Sequence, residues 1–93
     1  MPHKVPKRAW KLLARMRASK AGYGESDFET LYTGFGFLSR EGRDRVYYHP
    51  EHPTLPPAMV GRHRVLSKAY ADTALKRIEE LIRREGLTPE NTR

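Results

Sequence analysis

Glycines and prolines divide the chain into short segments, and their positions limit the possible folds more than any other feature of the sequence. Between these residues lie two segments with helical spacing of apolar residues, two of strand length, a Pro-rich segment and a long final helix. Pro56 and Pro57 offer no N–H to a sheet, so the Pro-rich segment, Leu55 to Met59, is acceptable only as an edge strand. The pattern predicts an α+β domain with an antiparallel sheet and helices on one face.

Two helices are expected before the sheet. The first covers residues 6–20 and carries an apolar face and a basic face. The second is expected to start at Ser26, whose spacing to Glu29 is that of a capping box. Gly34 is expected to end it in the left-handed conformation that glycine adopts at low cost.

The rest of the chain predicts a hairpin, the edge strand and a closing helix. Strands over 35–40 and 43–49 are joined by a tight turn at Glu41-Gly42. The closing helix begins at an N-cap, Ser67, and ends near Glu85, just before a glycine. Residues 87–93 are expected to form a frayed tail.

The positive charge of the chain is concentrated in its first quarter. The formal net charge is +7, and seven basic residues but no acidic ones precede Glu25. From that position onward, 11 basic residues balance 11 acidic ones. This asymmetry favours a protein that binds a phosphate backbone, although a merely solvated helix face is the alternative.

The composition of the chain excludes several kinds of site. The absence of cysteine excludes a disulfide framework, a thiolate zinc site and a Cys nucleophile. No apolar stretch near the start is long enough for a signal peptide or a membrane span, so we expect a cytoplasmic protein. His49-Pro50-Glu51-His52 contains common zinc ligands, but the spacing does not suit a helix and no metal or cofactor is predicted.

An ordered set of short motifs resembles the HicA family of toxin–antitoxin systems. In this chain the set consists of Gly34-Phe35, Gly42-Arg43-Asp44, Val46-Tyr47-Tyr48-His49-Pro50, Leu55-Pro56 and Arg62-His63, followed by an amphipathic helix. HicA proteins are small RNA-cleaving toxins with a double-stranded-RNA-binding-domain-like fold. The resemblance implies an α-β-β-β-α domain over 26–86, preceded by an additional basic helix and linker over 1–25 and followed by a tail over 87–93.

The resemblance also implies a function. The chain would be an RNA-binding toxin of a type II system, cleaving mRNA without a metal and covered by a HicB-like antitoxin protein. The family pattern places its catalytic His where this chain has Asp44. An ionised Asp accepts a proton but does not donate one, so His49 and His63 join Asp44 as catalytic candidates. The alternative is a module of the same fold that binds RNA or a protein partner and has lost catalysis.

Basic residues near these positions and on the first helix are the predicted RNA contacts. They are Lys7, Lys11, Arg15, Arg43, Arg45, Arg62 and Arg64. Guanidinium groups bind phosphodiesters bidentately, and an interleaved tyrosine can stack on an unpaired base. We expect Tyr48, however, to pack in the core.

Overall fold

The computed structural model describes residues 5–89, and they form a small α+β domain of three helices and one three-stranded antiparallel sheet. The elements are α1 (Lys7–Ala18), α2 (Glu25–Gly34), β1 (Leu38–Arg40), β2 (Arg45–Tyr48), β3 (Ala58–Val60) and α3 (Lys68–Glu85). The strand order is β1-β2-β3, so β3 is at an edge, as its flanking prolines predicted. None of the helices within 5–89 has the length and apolar character that a bilayer crossing requires.

The sheet buries one face and leaves the other open. Tyr47 is fully buried and stacks on Tyr32 of α2, with ring centroids 4.6 Å apart. Its neighbour Tyr48 points to the opposite face, where Leu38 and Met59 are half exposed. The expectation that Tyr48 packs in the core is therefore wrong. Successive side chains alternate across a strand, and the alternation places Tyr47 inside.

The predicted boundaries of α2 are wrong by one or two residues. The helix begins at Glu25, and the backbone N–H of its N-cap, Gly24, donates to Asp27 Oδ2 at 2.9 Å. Asp27 thus makes the contact that the capping-box reading assigned to Glu29. At the other end Gly36, with φ of +92°, adopts the left-handed conformation expected of Gly34.

All three strands are shorter than predicted. Phe35 closes α2 by donating its N–H to the carbonyl of Leu31, so it is not available to a strand. Residues 41–44 form an open loop instead of a two-residue turn. The second strand ends before His49, whose carbonyl accepts the N–H of His52 in a turn.

The helix α1 is part of the single hydrophobic core. Ala9, Leu13 and Met16 are fully buried together with residues of α2, the sheet and α3. Gly34 makes this packing possible, because a Cβ there would lie 2.5 Å from the Cβ of Ala9. Helix α1 runs antiparallel to α3. The ion pair Arg17–Glu79, at 2.9 Å, joins the two helices, and Lys20, just after α1, pairs with Asp72 of α3 at 2.7 Å.

The predicted boundaries of α3 are confirmed. Ser67 is the N-cap and Gly86, with φ of +63°, is the left-handed C-cap. The prediction that a frayed tail starts at Leu87 is wrong. Leu87 is buried and donates its N–H to the carbonyl of Ile82, which closes the helix end. Residues 90–93 of that tail lie outside the described part of the chain.

Candidate functional site

The chain collects its chemically capable side chains at two opposite ends of the sheet. One end, the paired end, contains the start of α2, the loop 41–44 and the segment 61–64. The other, the dyad end, contains the turn after α2, the loop 49–57 and the C-terminal end of α3. The start of α1 also lies at the dyad end, because Pro6 and Ala9 pack beside Gly34.

Two arginines and three glutamates form an ion-pair network at the paired end. Arg45 Nε lies 2.9 Å from Glu41 Oε2, and its Nη1 lies 3.5 Å from Glu29 Oε1. Arg62 Nη2 donates to Glu41 Oε1 at 2.5 Å, and its Nη1 lies 3.5 Å from Glu25 Oε2. Arg62 Nε also donates to the carbonyl of Arg43, which fixes the loop 41–44 to the segment after β3.

This network fixes the charge states of its members. The hydrogen bond from Arg62 and the nearby Arg45 guanidinium lower the pKa of Glu41. The adjoining Tyr47 hydroxyl and the carboxylates of Glu41 and Glu29 raise the pKa of Arg45. Two guanidinium charges are therefore opposed by three carboxylates, which compete with a phosphate for Arg45 and Arg62, two of the predicted RNA contacts.

The structure does not bring the three predicted catalytic residues together. Asp44 and His63 lie at the paired end, in the loop 41–44 and in the segment after β3. His49 lies beyond the other end of β2, about 16 Å from Asp44 along five extended residues. It is also only 4% exposed, so no substrate reaches its ring without an opening of the fold.

The predicted RNA contacts fall into two groups. Arg45 and Arg62 belong to the network described above. The others, Lys7, Lys11, Arg15, Arg43 and Arg64, are exposed, as is Arg8 beside Lys7. Within residues 5–89 none of these six side chains forms an ion pair or a hydrogen bond.

His49 has a structural role at the dyad end. Its Nδ1 accepts the backbone N–H of Glu51 at 3.2 Å, and its ring packs edge-on with that of Phe37, with ring centroids 5.2 Å apart. Burial, with a contribution from the neighbouring His52, lowers the pKa of His49. The neutral imidazole therefore stabilises the turn that starts the loop 49–57.

His52 forms a dyad with Glu85, the last residue of α3. His52 Nε2 lies 2.6 Å from Glu85 Oε2, and the two side chains are 19% and 15% exposed. Arg84 Nη1 donates to Thr54 Oγ1 at 3.0 Å, a second link between the loop and α3. Sequence reasoning missed this dyad, because its partners are 33 positions apart and no local pattern joins them.

An open cleft of about 450 Å³ adjoins the dyad. It is lined by Arg40, Tyr48, His49, Pro50, His52, Pro53, Leu55 and Pro57. The Arg40 guanidinium lies over the ring of Tyr48, 5.2 Å from its centroid. Within the part of the chain that the structure describes, no group of three or more His, Asp or Glu side chains is arranged to hold a metal ion.

The chain matches no protein-family model, no curated protein and no solved structure, so its site is interpreted from its own geometry.

Proposed function

We propose that this protein is an RNA-binding domain with a double-stranded-RNA-binding-domain-like fold and that α1 is its main contact with RNA. The observation that carries the proposal is the state of the cations on α1. Lys7, Lys11 and Arg15 have no partner among residues 5–89, whereas Arg17 and Lys20 are paired with acids of α3.

The geometry of α1 suits a phosphate backbone. Lys7, Lys11 and Arg15 are spaced at i, i+4 and i+8, so they follow one side of the helix in steps of about 6 Å. The opposite side of α1 is held in the core, which fixes the direction of these cations. Binding releases counterions from RNA and does not first have to break an ion pair in the protein.

RNA is preferred as the ligand because of the resemblance to HicA. With that resemblance we propose a HicA-like role in a toxin–antitoxin pair, in the cytoplasm and with a HicB-like protein as partner. Binding is the part of this role that the geometry supports best. The positions that the resemblance matches to the catalytic His of HicA and to the His after its third strand, Asp44 and His63, lie beside a network of paired charges.

Two charge-matched variants of α1 test the proposal. Lys7→Gln/Lys11→Gln removes two unpaired cations of α1, and Arg17→Gln/Lys20→Gln removes two paired ones, in the last turn of α1 and just after it. Both lower the net charge by two. Binding of a fluorescent single-stranded RNA is measured by anisotropy as a function of salt, with thermal unfolding as a check on folding.

We expect the first variant to bind more weakly, with a plot of log K against log salt that is shallower by up to about 1.4, since each lost single-strand contact contributes about 0.7. The second variant should retain most of the slope. Equal losses in the two variants, or no binding by the unmodified protein, would refute the proposal.

A further inference from the structure

We propose that the cleft at the dyad end is a centre for RNA cleavage, in which His52 is the general base and Glu85 is its positioning residue. This inference rests on the proposed function, since it requires that RNA binds. It differs from the expectation drawn from Asp44, because it moves the chemistry to the opposite end of the sheet.

The imidazole of His52 is held by Glu85 in the orientation that a general base requires. The carboxylate of Glu85 holds Nε2 of His52 at 2.6 Å, which favours the tautomer with the proton on Nε2 and a free lone pair on Nδ1. Nδ1 has no partner among residues 5–89 and is not buried. A carboxylate behind an imidazole whose other nitrogen is open is the usual arrangement of a positioned base.

The cleft is lined by side chains suited to RNA. Arg40 supplies a guanidinium with no carboxylate partner in the described residues, a group suited to a phosphodiester. Tyr48 presents a partly exposed ring on which an unpaired base can stack. Phosphate binding, base stacking and a proton acceptor thus occur in one cleft.

The direction of α1 places its first cations near the cleft. Arg17 pairs with Glu79 and Lys20 with Asp72, so moving toward the start of α1 means moving toward the end of α3. Lys7 and Lys11 are therefore at the same end of the molecule as Glu85. An RNA strand held by these cations has one end of its path near the cleft, and the paired end is remote from it.

The reaction that fits these groups is internal transphosphorylation. The 2′-oxygen of the substrate attacks the adjacent phosphorus as its proton passes to Nδ1 of His52. The bond from phosphorus to the 5′-oxygen breaks, and this oxygen takes a proton from water. His52 then returns its proton to solvent, which restores the balance. The products are a 2′,3′-cyclic phosphate and a 5′-hydroxyl end.

The charged and titratable neighbours of His52 are consistent with this role. Glu85 is on α3, and His49 and Glu51 are in the same loop. Because burial lowers the pKa of His49, that ring stays neutral where an ordinary imidazole titrates. The neutral His49 ring therefore adds no positive charge beside His52, whose Nδ1 is the open proton acceptor.

The test uses the full chain and a fluorescent single-stranded RNA, with cleavage followed on gels and binding by anisotropy. The unmodified protein should cleave this RNA, give cyclic phosphate ends and leave the all-2′-deoxy form intact. His52→Gln should reduce the rate by about 10²- to 10⁴-fold, the usual contribution of a general base, with RNA affinity retained.

The variant Glu85→Gln keeps the side-chain length but removes the charge behind the imidazole. We expect it to lower kcat more than it changes KM, an effect that a purely structural contact would not have. If His52→Gln fails to fold, the product ends of the unmodified protein and the separate effects of Glu85→Gln on kcat and KM still decide the question.

Three outcomes would overturn the inference. RNA that is bound but not cleaved refutes the cleavage centre and leaves the proposed function intact. Cleavage that is unchanged in a folded His52→Gln, or that is lost in His63→Gln instead, places the chemistry elsewhere. Absence of RNA binding refutes the proposed function itself, and the two failures are distinguished by the anisotropy measurement.

Discussion

The paired end and the dyad end contain similar residues but differ in how their charges are satisfied. At the paired end, Arg45 and Arg62 are each held by two carboxylates. At the dyad end, one carboxylate holds one imidazole, and the cations of the cleft and of the start of α1 have no carboxylate partner among residues 5–89. The comparison shows that a residue's availability for chemistry depends on its neighbours as much as on its identity.

This difference alters the interpretation of Asp44. The resemblance to HicA directs attention to that position, but the surrounding network is already occupied by three glutamates. A phosphate approaching Asp44 meets these carboxylates as well as the exposed cations of Arg43 and Arg64. The dyad end differs in that its cations, Arg40, Lys7 and Lys11, lie outside any ion-pair network of the described residues.

The largest effect is expected from removing α1, on which the dyad end depends. Deletion of residues 1–20 removes Leu12, Leu13 and Met16 from the core. Truncating a buried side chain of this size costs about 2 to 5 kcal/mol, so three of them approach the whole stability of a small domain, about 5 to 15 kcal/mol. The shortened chain should show no cooperative thermal unfolding by circular dichroism.

The control for this deletion is the Lys7→Gln/Lys11→Gln variant, which changes only exposed positions and should unfold near the temperature of the unmodified protein. A deletion variant that folds and unfolds cooperatively would support the division of the chain at residue 25. It would also show that α1 is an appendage and that the cations of α1 are not fixed relative to the dyad.

Features with local causes were predictable from sequence. Ser67 and Gly86 bound α3 as expected because an N-cap and a left-handed C-cap depend on a few adjacent residues. The edge position of β3 followed from Pro56 and Pro57, which lack N–H donors. The burial of the basic helix's apolar side followed from its spacing.

Features that join distant parts of the chain were not predictable in the same way. His52–Glu85 and Arg17–Glu79 are 33 and 62 positions apart, and a single sequence carries no record of such pairing. The prediction of the α2 cap failed for a different reason. Both Asp27 and Glu29 are acids near a helix start, and the choice between them depends on how Gly24 meets the carbonyl of Arg64.

The second prediction concerns the pH dependence of stability at the dyad end. Burial lowers the pKa of His49 in the folded protein, so the unfolded chain binds more protons below its ordinary pKa of 6.5. The contribution of His49 to the free energy of unfolding should therefore be complete above that pH. The free energy of unfolding should fall as the pH decreases below it. One proton allows a slope of at most about 1.4 kcal/mol per pH unit.

Urea unfolding between pH 7.5 and pH 5 measures this slope. His49→Gln retains an acceptor for the N–H of Glu51 but does not titrate, so its slope should be smaller. His63→Gln changes an exposed histidine at the paired end and should keep the slope of the unmodified protein. The Glu41 carboxyl, whose pKa Arg62 lowers, contributes only below its ordinary value of 4.5, outside this range. Equal slopes in all three proteins would contradict the assignment of a buried neutral imidazole.

The smallest effect is expected within α1, where the two kinds of cation occur on one helix. A double-mutant cycle of Arg17→Gln and Glu79→Gln should give a coupling of about 0.2 to 1 kcal/mol, because both side chains are about half exposed and solvent screens their attraction. The cycle of Lys11→Gln with Glu79→Gln should give a coupling near zero. Both couplings are obtained from urea unfolding at low salt. High salt should reduce the coupling between Arg17 and Glu79. A Lys11 coupling as large as that of Arg17 would mean that the start of α1 is also neutralised by α3, and the difference between the two ends would disappear.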